Sequence, residues 1–329
     1  MRRVILSVLL LLIGIPSWSE LPPRPLYDAR ATMRAERVDL YPGNPARTDL
    51  GALTYLGGVR LIGNESAFGG FSSMQVHGGH FILLSDGGVF VRFDLSRDWR
   101  LANVRFDDLP GGPAFGWEKG DRDSESMTID PQTGTAWVGF ERYNQIWRYD
   151  MALTRAEGAS APPLMAKWDL NTGPEAMVRL KDGRFVVLGE QTVSGDESLR
   201  ASVMFSGDPA RNPKAAFGFR YRPPSPDYAA TDVAQLPDGR LLVLNRAFAP
   251  IANFTTIITV VDTRTIRPGA TVTGKEVARL APPTLADNFE AMALTREGAD
   301  TILWIASDDN QFFLQQSLLL KFRVNAARP

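Results

Sequence analysis

A short polar-to-apolar signature recurs five times along the 329-residue chain, and each copy opens a strand–turn–strand unit. The copies are FSSM (71–74), SESM (124–127), PEAM (174–177), ATDV (230–233) and FEAM (289–292), with last residues 53, 50, 56 and 59 positions apart. Self-similarity at this period, carried by hairpins, belongs to propellers and solenoids, whose units bury apolar faces against their neighbours. Each copy continues into a second apolar run with a polar ending: Asp86 in LLSDGG, Glu141 in VGFERY, Glu190 in VLGEQ, Asn245 in VLNRA and Asp308 in WIASDDN.

Turn chemistry agrees with this reading. Asp182-Gly183 and Asp238-Gly239 sit between paired apolar runs, where Asp-Gly supplies the positive φ angles of a tight hairpin. No long apolar pattern of period 3.6 follows the first twenty residues, so the chain reads as all-β. The expected architecture is a six-bladed β-propeller, with five or seven blades as the alternatives. Its ring is closed by strands from the two chain ends, LTYLGGVRLIG (53–63) and SLLLKFRV (317–324), because an open edge would expose unpaired backbone groups.

The start of the chain has a different character. Two arginines, an apolar run from Val4 to Ile15 and small residues at Ser17 and Ser19 form a secretory signal peptide over residues 1–19, leaving 20–329 as one propeller domain. The run is too short to span a bilayer comfortably, and no cysteine is present to carry a lipid. The expectation is an exported monomer, periplasmic or secreted, with no stable membrane anchor. Loss of Arg2 and Arg3 turns a balance of 36 Lys and Arg against 37 Asp and Glu into a net charge of −3, which offers no surface for nucleic acid. The absence of cysteine excludes disulfides, thiolate nucleophiles and zinc–thiolate sites.

Hairpin geometry gives the repeated polar residues a common place. The residue that starts the first strand and the residue that ends the second lie at the same end of an antiparallel pair. In a propeller with the first strand lining the channel, Ser72, Glu125, Glu175, Thr231 or Asp232, and Glu290 surround the axis at its mouth. Asp86, Glu141, Glu190, Asn245 and Asp308 form a second circle on that face. Gathered carboxylates must protonate, pair with cations or hold a metal. Hard oxygen donors without cysteine favour calcium or magnesium. Arg142 and Arg246 directly follow ring positions and suit bidentate recognition of a phosphate or carboxylate. The same acids also suit a purely architectural role, accepting backbone N–H groups between blades.

Other signals point away from the acidic face. His77 and His80, the only histidines, flank a Gly-Gly turn at the opposite end of the first hairpin, so no Ser–His–Asp set is available. Trp137, Trp147, Trp168 and Trp304 lie within or beside apolar runs and read as blade packing, whereas Trp117 belongs to a Gly-rich loop (109–126) expected near the mouth.

Taken in order, FGGFSSM, LLSDGG, DSESM, VGFERYNQIWRYD, GPEAM with LKDGRFVVLGE, TDVAQLPDGRLLVLNR, DNFEAMAL and LWIASDDNQ resemble the phytase-like propellers described by the esterase-like activity of phytase, across almost the whole mature chain. The resemblance implies hydrolysis of phosphate or other esters, and similarity to calcium-dependent propeller phytases implies metal-assisted attack of water on a phosphomonoester. The matching polar positions are Asp86, Glu125, Glu141, Arg142, Glu175, Glu190, Asn245, Arg246, Asn288, Glu290, Asp308 and Asp309. Of these, Glu125, Glu175, Glu190, Arg142 and Arg246 are the expected catalytic set. Asp86, Glu141, Asn245, Glu290 and Asp308 are the expected ligands of a divalent cation, calcium first, with a small ester or phosphoester as substrate. Two rivals remain: a metal-dependent lactonase using Glu125, Asn245 and Asp308, and a non-catalytic periplasmic propeller that binds a glycan or protein.

Overall fold

A computed structural model of the chain describes residues 23–249 and 253–325. The signal peptide expected over residues 1–19 lies outside the described residues. Strands β1 (Met33–Val38), β2 (Asp49–Leu50) and β3 (Leu53–Gly63) open the chain without forming a sheet of their own. The first sheet is β4 (Phe71–His77), β5 (His80–Ser85), β6 (Val89–Leu95) and β7 (Leu101–Asp108), in sequence order. The second repeats that order with β8 (Ser124–Asp130), β9 (Thr135–Phe140), β10 (Gln145–Asp150) and β11 (Ala156–Ser160). The third contains β12 (Ala176–Arg179), β13 (Phe185–Val193), β14 (Asp196–Phe205) and β15 (Ala216–Arg222).

The fourth sheet runs β16 (Ala229–Gln235), β17 (Leu241–Ala249), β18 (Asn253–Val261) and then β20 (Lys275–Leu280), while β19 (Thr271–Thr273) pairs in parallel with β15 of the third. In the fifth, β21 (Phe289–Glu297), β22 (Asp300–Ser307) and β23 (Ser317–Val324) are followed by β3, and β1 adds to the outer edge of β3.

The arrangement is an all-β propeller of five sheets, one per repeat, and the expectation of six blades is corrected. The two terminal segments do not build a further blade. Instead β3 pairs with β23 from Ser317↔Leu61 to Val324↔Leu53 and completes the sheet begun by FEAM. Among the described residues the helices are two short 3-10 turns, and no helix is long and apolar enough to cross a membrane.

Alternation explains the continuous apolar runs. In β13, Phe185 and Val187 face a core shared with the second sheet, while Val186 and Leu188 face one shared with the fourth. In β22, Ile302 and Trp304 pack toward the first sheet, and Leu303 and Ile305 toward the fourth. A strand apolar at every position is buried on both faces, as a sheet between two neighbours must be. Among the described residues five separate cores result, one at each interface, including that between the fifth and first sheets.

The turns follow the expected chemistry with one refinement. Gly183 and Gly239 have φ of 89° and 92°, but Asp182 and Asp238 stay at negative φ. Each aspartate instead accepts the N–H of the arginine two residues on, at 3.1 and 3.0 Å.

Candidate functional site

One extra residue aims the acids at the channel. Pairing of the first strand with the second slips between Phe71 and Ser73, Ser124 and Ser126, Ala230 and Asp232, and Phe289 and Ala291. The skipped residues are Ser72, Glu125, Thr231 and Glu290, the same position of four repeats. A bulge bends its strand and redirects one side chain. In the third sheet Glu175 immediately precedes β12.

Several of these positions are architectural. Ser72 Oγ donates to Ser124 O at 2.5 Å and Thr231 Oγ1 to Phe289 O at 3.2 Å, each tying its sheet to the next. Asp232 accepts Val233 N at 2.7 Å and Met292 N at 2.6 Å. Asp309 accepts Gly70 N at 3.1 Å and Ser317 Oγ at 2.8 Å, latching the fifth sheet to the first.

Asn245 is also placed away from the expected cation. Its Oδ1 accepts Tyr221 OH at 2.7 Å, and its Nδ2 donates to Val243 O and Ile257 O at 3.1 Å. The side chain is buried and bonded between the third and fourth sheets. β17 alternates, and at Asn245 the pleat turns the side chain toward the third sheet, where these bonds engage it.

The remaining acids converge. Asp123, Glu125 and Glu141 each bring a carboxylate oxygen within 4.8 Å of the others. Burial, reinforced by Asp86, raises Asp123 to about 6, and burial raises Glu141 to about 7, with Asp123 and Glu190 adding to the effect. Burial and then neighbouring carboxylates hold Glu125 and Glu175 well above the ordinary range. Asp308 is held high in the same way, with Asp86 and Glu290 nearby. Glu175 is 8% exposed, and its Oε1 has no hydrogen-bond partner.

Three cations face these groups. Arg246 Nη2 lies 2.8 Å from Glu290 Oε1, and its Nε is buried without a partner. Arg142 acts on Asp123 and presses against Gly120. Lys119 Nζ lies 2.5 Å from Asp86 Oδ2. Burial opposes the charge of Lys119, yet Asp86, with Asp308 and Glu125 behind it, raises its proton affinity. Gly70, at φ 64°, lets the chain pass Asp86: a Cβ there would stand 2.7 Å from its Oδ1.

The structure thus brings together Asp86, Glu125, Glu141, Glu175, Glu190, Glu290 and Asp308 with Arg142 and Arg246. Two members were missed. Asp123 carried a signal, lying two residues before Glu125 in DSES. Lys119 carried none beyond its place in the Gly-rich loop. That loop also presents Phe115 and Trp117 to solvent, 89% and 80% exposed. The histidines sit at the far end of β4 and β5, where His80 pairs with Asp94.

A family model described as phytase-like, esterase-like activity of phytase, matches residues 66–311. No curated protein matches the chain. Among solved structures, the hydrazine synthase of Kuenenia stuttgartiensis is similar at 14% identity and a TM-score of 0.39, over 92% of this chain and 81% of that one. A nidogen/laminin complex is similar at 6% identity and a TM-score of 0.42, over 84% and 88%. The Cps50 (Swd1) β-propeller domain of Myceliophteria thermophila is similar at 11% identity and a TM-score of 0.36, over 78% and 69%. Likenesses this distant carry no weight for function.

Proposed function

Because the chain belongs to the phytase-like family described by the esterase-like activity of phytase, we propose that it is an exported hydrolase of small phosphate or other esters, working at the acidic mouth with a divalent cation, calcium first. The observation that carries this reading is an imbalance of charge. Asp86, Asp123, Glu125, Glu141, Glu175, Glu190, Glu290 and Asp308 face only Lys119, Arg142 and Arg246 among the described residues. Burial without a counter-charge costs several kcal/mol per ion, so such a set protonates or takes up cations.

The residues present fit a hard cation. Asp123, Glu125 and Glu141 would hold it, with Glu175 beside them and outside that set. A bound cation would polarise the substrate oxygen and acidify a water. The chain's own groups do the rest. Arg246, oriented by Glu290, and Arg142 supply positive charge to stabilise an anionic oxygen. Glu175, in its ionised form, accepts the proton of the attacking water as the new oxygen bond forms, and passes it to the alkoxide released when the ester bond breaks, which leaves as the alcohol.

Asn245, bonded inside the blade, counts against the lactonase ligand set. Pairing of β3 with β23, and the apolar packing of the fifth sheet on the first, support a ring closed through that sheet. We extend the proposal to a monomeric single domain over 20–329, exported through residues 1–19 to the periplasm or beyond.

The test is hydrolysis of phosphomonoesters, carboxyl esters and lactones by the purified mature protein, with calcium and with chelator, beside Glu175→Gln. Calcium-restored turnover that Glu175→Gln loses without a change in melting temperature is expected. No turnover on any substrate and no thermal shift with calcium would leave a binding propeller as the better account.

A further inference from the structure

The Asp86–Asp308 sector of the ring already contains a cation, and the chain supplies it. Lys119 reaches Asp86 at 2.5 Å from the 3-10 turn Lys119–Arg122. A lysine on a free surface gains little from such a pair, since ordering its long side chain offsets the attraction. This one is held in advance. Arg24 donates its backbone N–H to Trp117 O at 2.8 Å and its Nε to Gly116 O at 3.1 Å. Asp121 accepts Trp117 N at 3.1 Å, and the buried Arg122 side chain fills the loop interior, donating to Pro113 O.

We infer that Lys119 is a built-in counter-ion that occupies the Asp86–Asp308 sector in place of a second divalent cation, confining exchangeable metal to the Asp123–Glu125–Glu141 sector. Asn288, bonded through its backbone carbonyl to Asp308, adds a buried oxygen without a donor next to this sector. It is 3% exposed, its Oδ1 finds no donor, its amide reaches Glu290, and its carbonyl accepts Asp308 N at 2.8 Å. A tethered ammonium acts at an effective concentration in roughly the millimolar range or above, enough to compete with a free ion for the same carboxylates. The confinement clause rests on the proposed cation site; the role of the lysine does not.

Calcium calorimetry on the full mature protein at neutral pH tests the inference, with Lys119→Met, Lys119→Arg and the double variant Lys119→Met/Asp86→Asn. One calcium per chain is expected for the wild type and Lys119→Arg, two for Lys119→Met, and one again for the double variant. Two calcium ions in the wild type, or an unchanged count in a folded Lys119→Met, overturns it. A wild type that binds none defeats the proposed cation at Asp123, Glu125 and Glu141. In that case calcium gained by Lys119→Met still supports the counter-ion, and none overturns it. If Lys119→Met does not fold, the counter-ion role requires the double variant, relieved of the Asp86 charge, to fold; failure of both overturns the inference.

Discussion

Arg246 on β17 and Glu290 on β21 meet at 2.8 Å across the boundary between the fourth and fifth sheets. The pair joins the second strand of one repeat to the bulged residue of the next. Burial raises Glu290, with Arg246 opposing, so the two groups depend on each other. Arg246→Met should therefore cost about 3–5 kcal/mol at pH 8, the range for stripping a buried charge of its partner, read as a fall in melting temperature. At pH 5 the unpaired carboxyl protonates and the fall shrinks. Equal losses at both pH values would dissolve the claimed dependence.

Calcium binding should tighten with pH. Asp123 and Glu141 titrate at about 6 and about 7 in the fold, above the ordinary carboxylate range. Raised values mean that their contribution to stability is fully present below about pH 4 and is lost as pH rises through 6 and 7. In chelator the melting temperature is expected to fall across that window. Calcium, which takes the deprotonated form, should restore more at pH 8 than at pH 5. Calorimetry in two buffers of different ionisation enthalpy counts the protons released, and a dissociation constant independent of pH would contradict the site.

Asp232 should matter to stability alone. Replacing it by Ala strands Met292 N, which it accepts at 2.6 Å, and an unsatisfied buried donor costs about 1–3 kcal/mol. Urea unfolding should show that loss, with calcium stoichiometry unchanged. A lost calcium ion would place Asp232 in the ring after all.

Asn245→Leu separates a structural role from a ligand role. Because its amide bonds Tyr221 OH and two backbone carbonyls, the change should lower stability and leave calcium affinity intact. Tyr221→Phe should lose part of the same energy, so the two should be less than additive in a double-mutant cycle. A selective drop in calcium affinity would return Asn245 to the ligand set.

Much of the site was legible because hairpin geometry is local. Glu125 and Glu141 share a mouth whenever their two strands pair, whatever the remainder of the chain does. The bulges were not legible. A strand alternates with period two, and one inserted residue reverses every side chain beyond it. Nothing in ATDV distinguishes the latch Asp232 from the bulge Thr231, just as nothing in VLNRA shows Asn245 facing the blade.

By itself the sequence determined what short-range chemistry controls: the strands, their Asp-Gly turns, the doubly buried apolar runs and a circle of acids at one face. Tertiary structure decided the number of sheets, because the partner of β3 is β23, more than 250 residues away, and only packing selects between that pairing and a separate blade. It also decided the ionic state of the ring. Lys119 comes from a loop with no periodicity to announce it, and its partner Asp86 lies in a different strand connection. Interactions through space between segments remote in sequence leave no trace in local pattern, and the chemistry of the mouth depends on them.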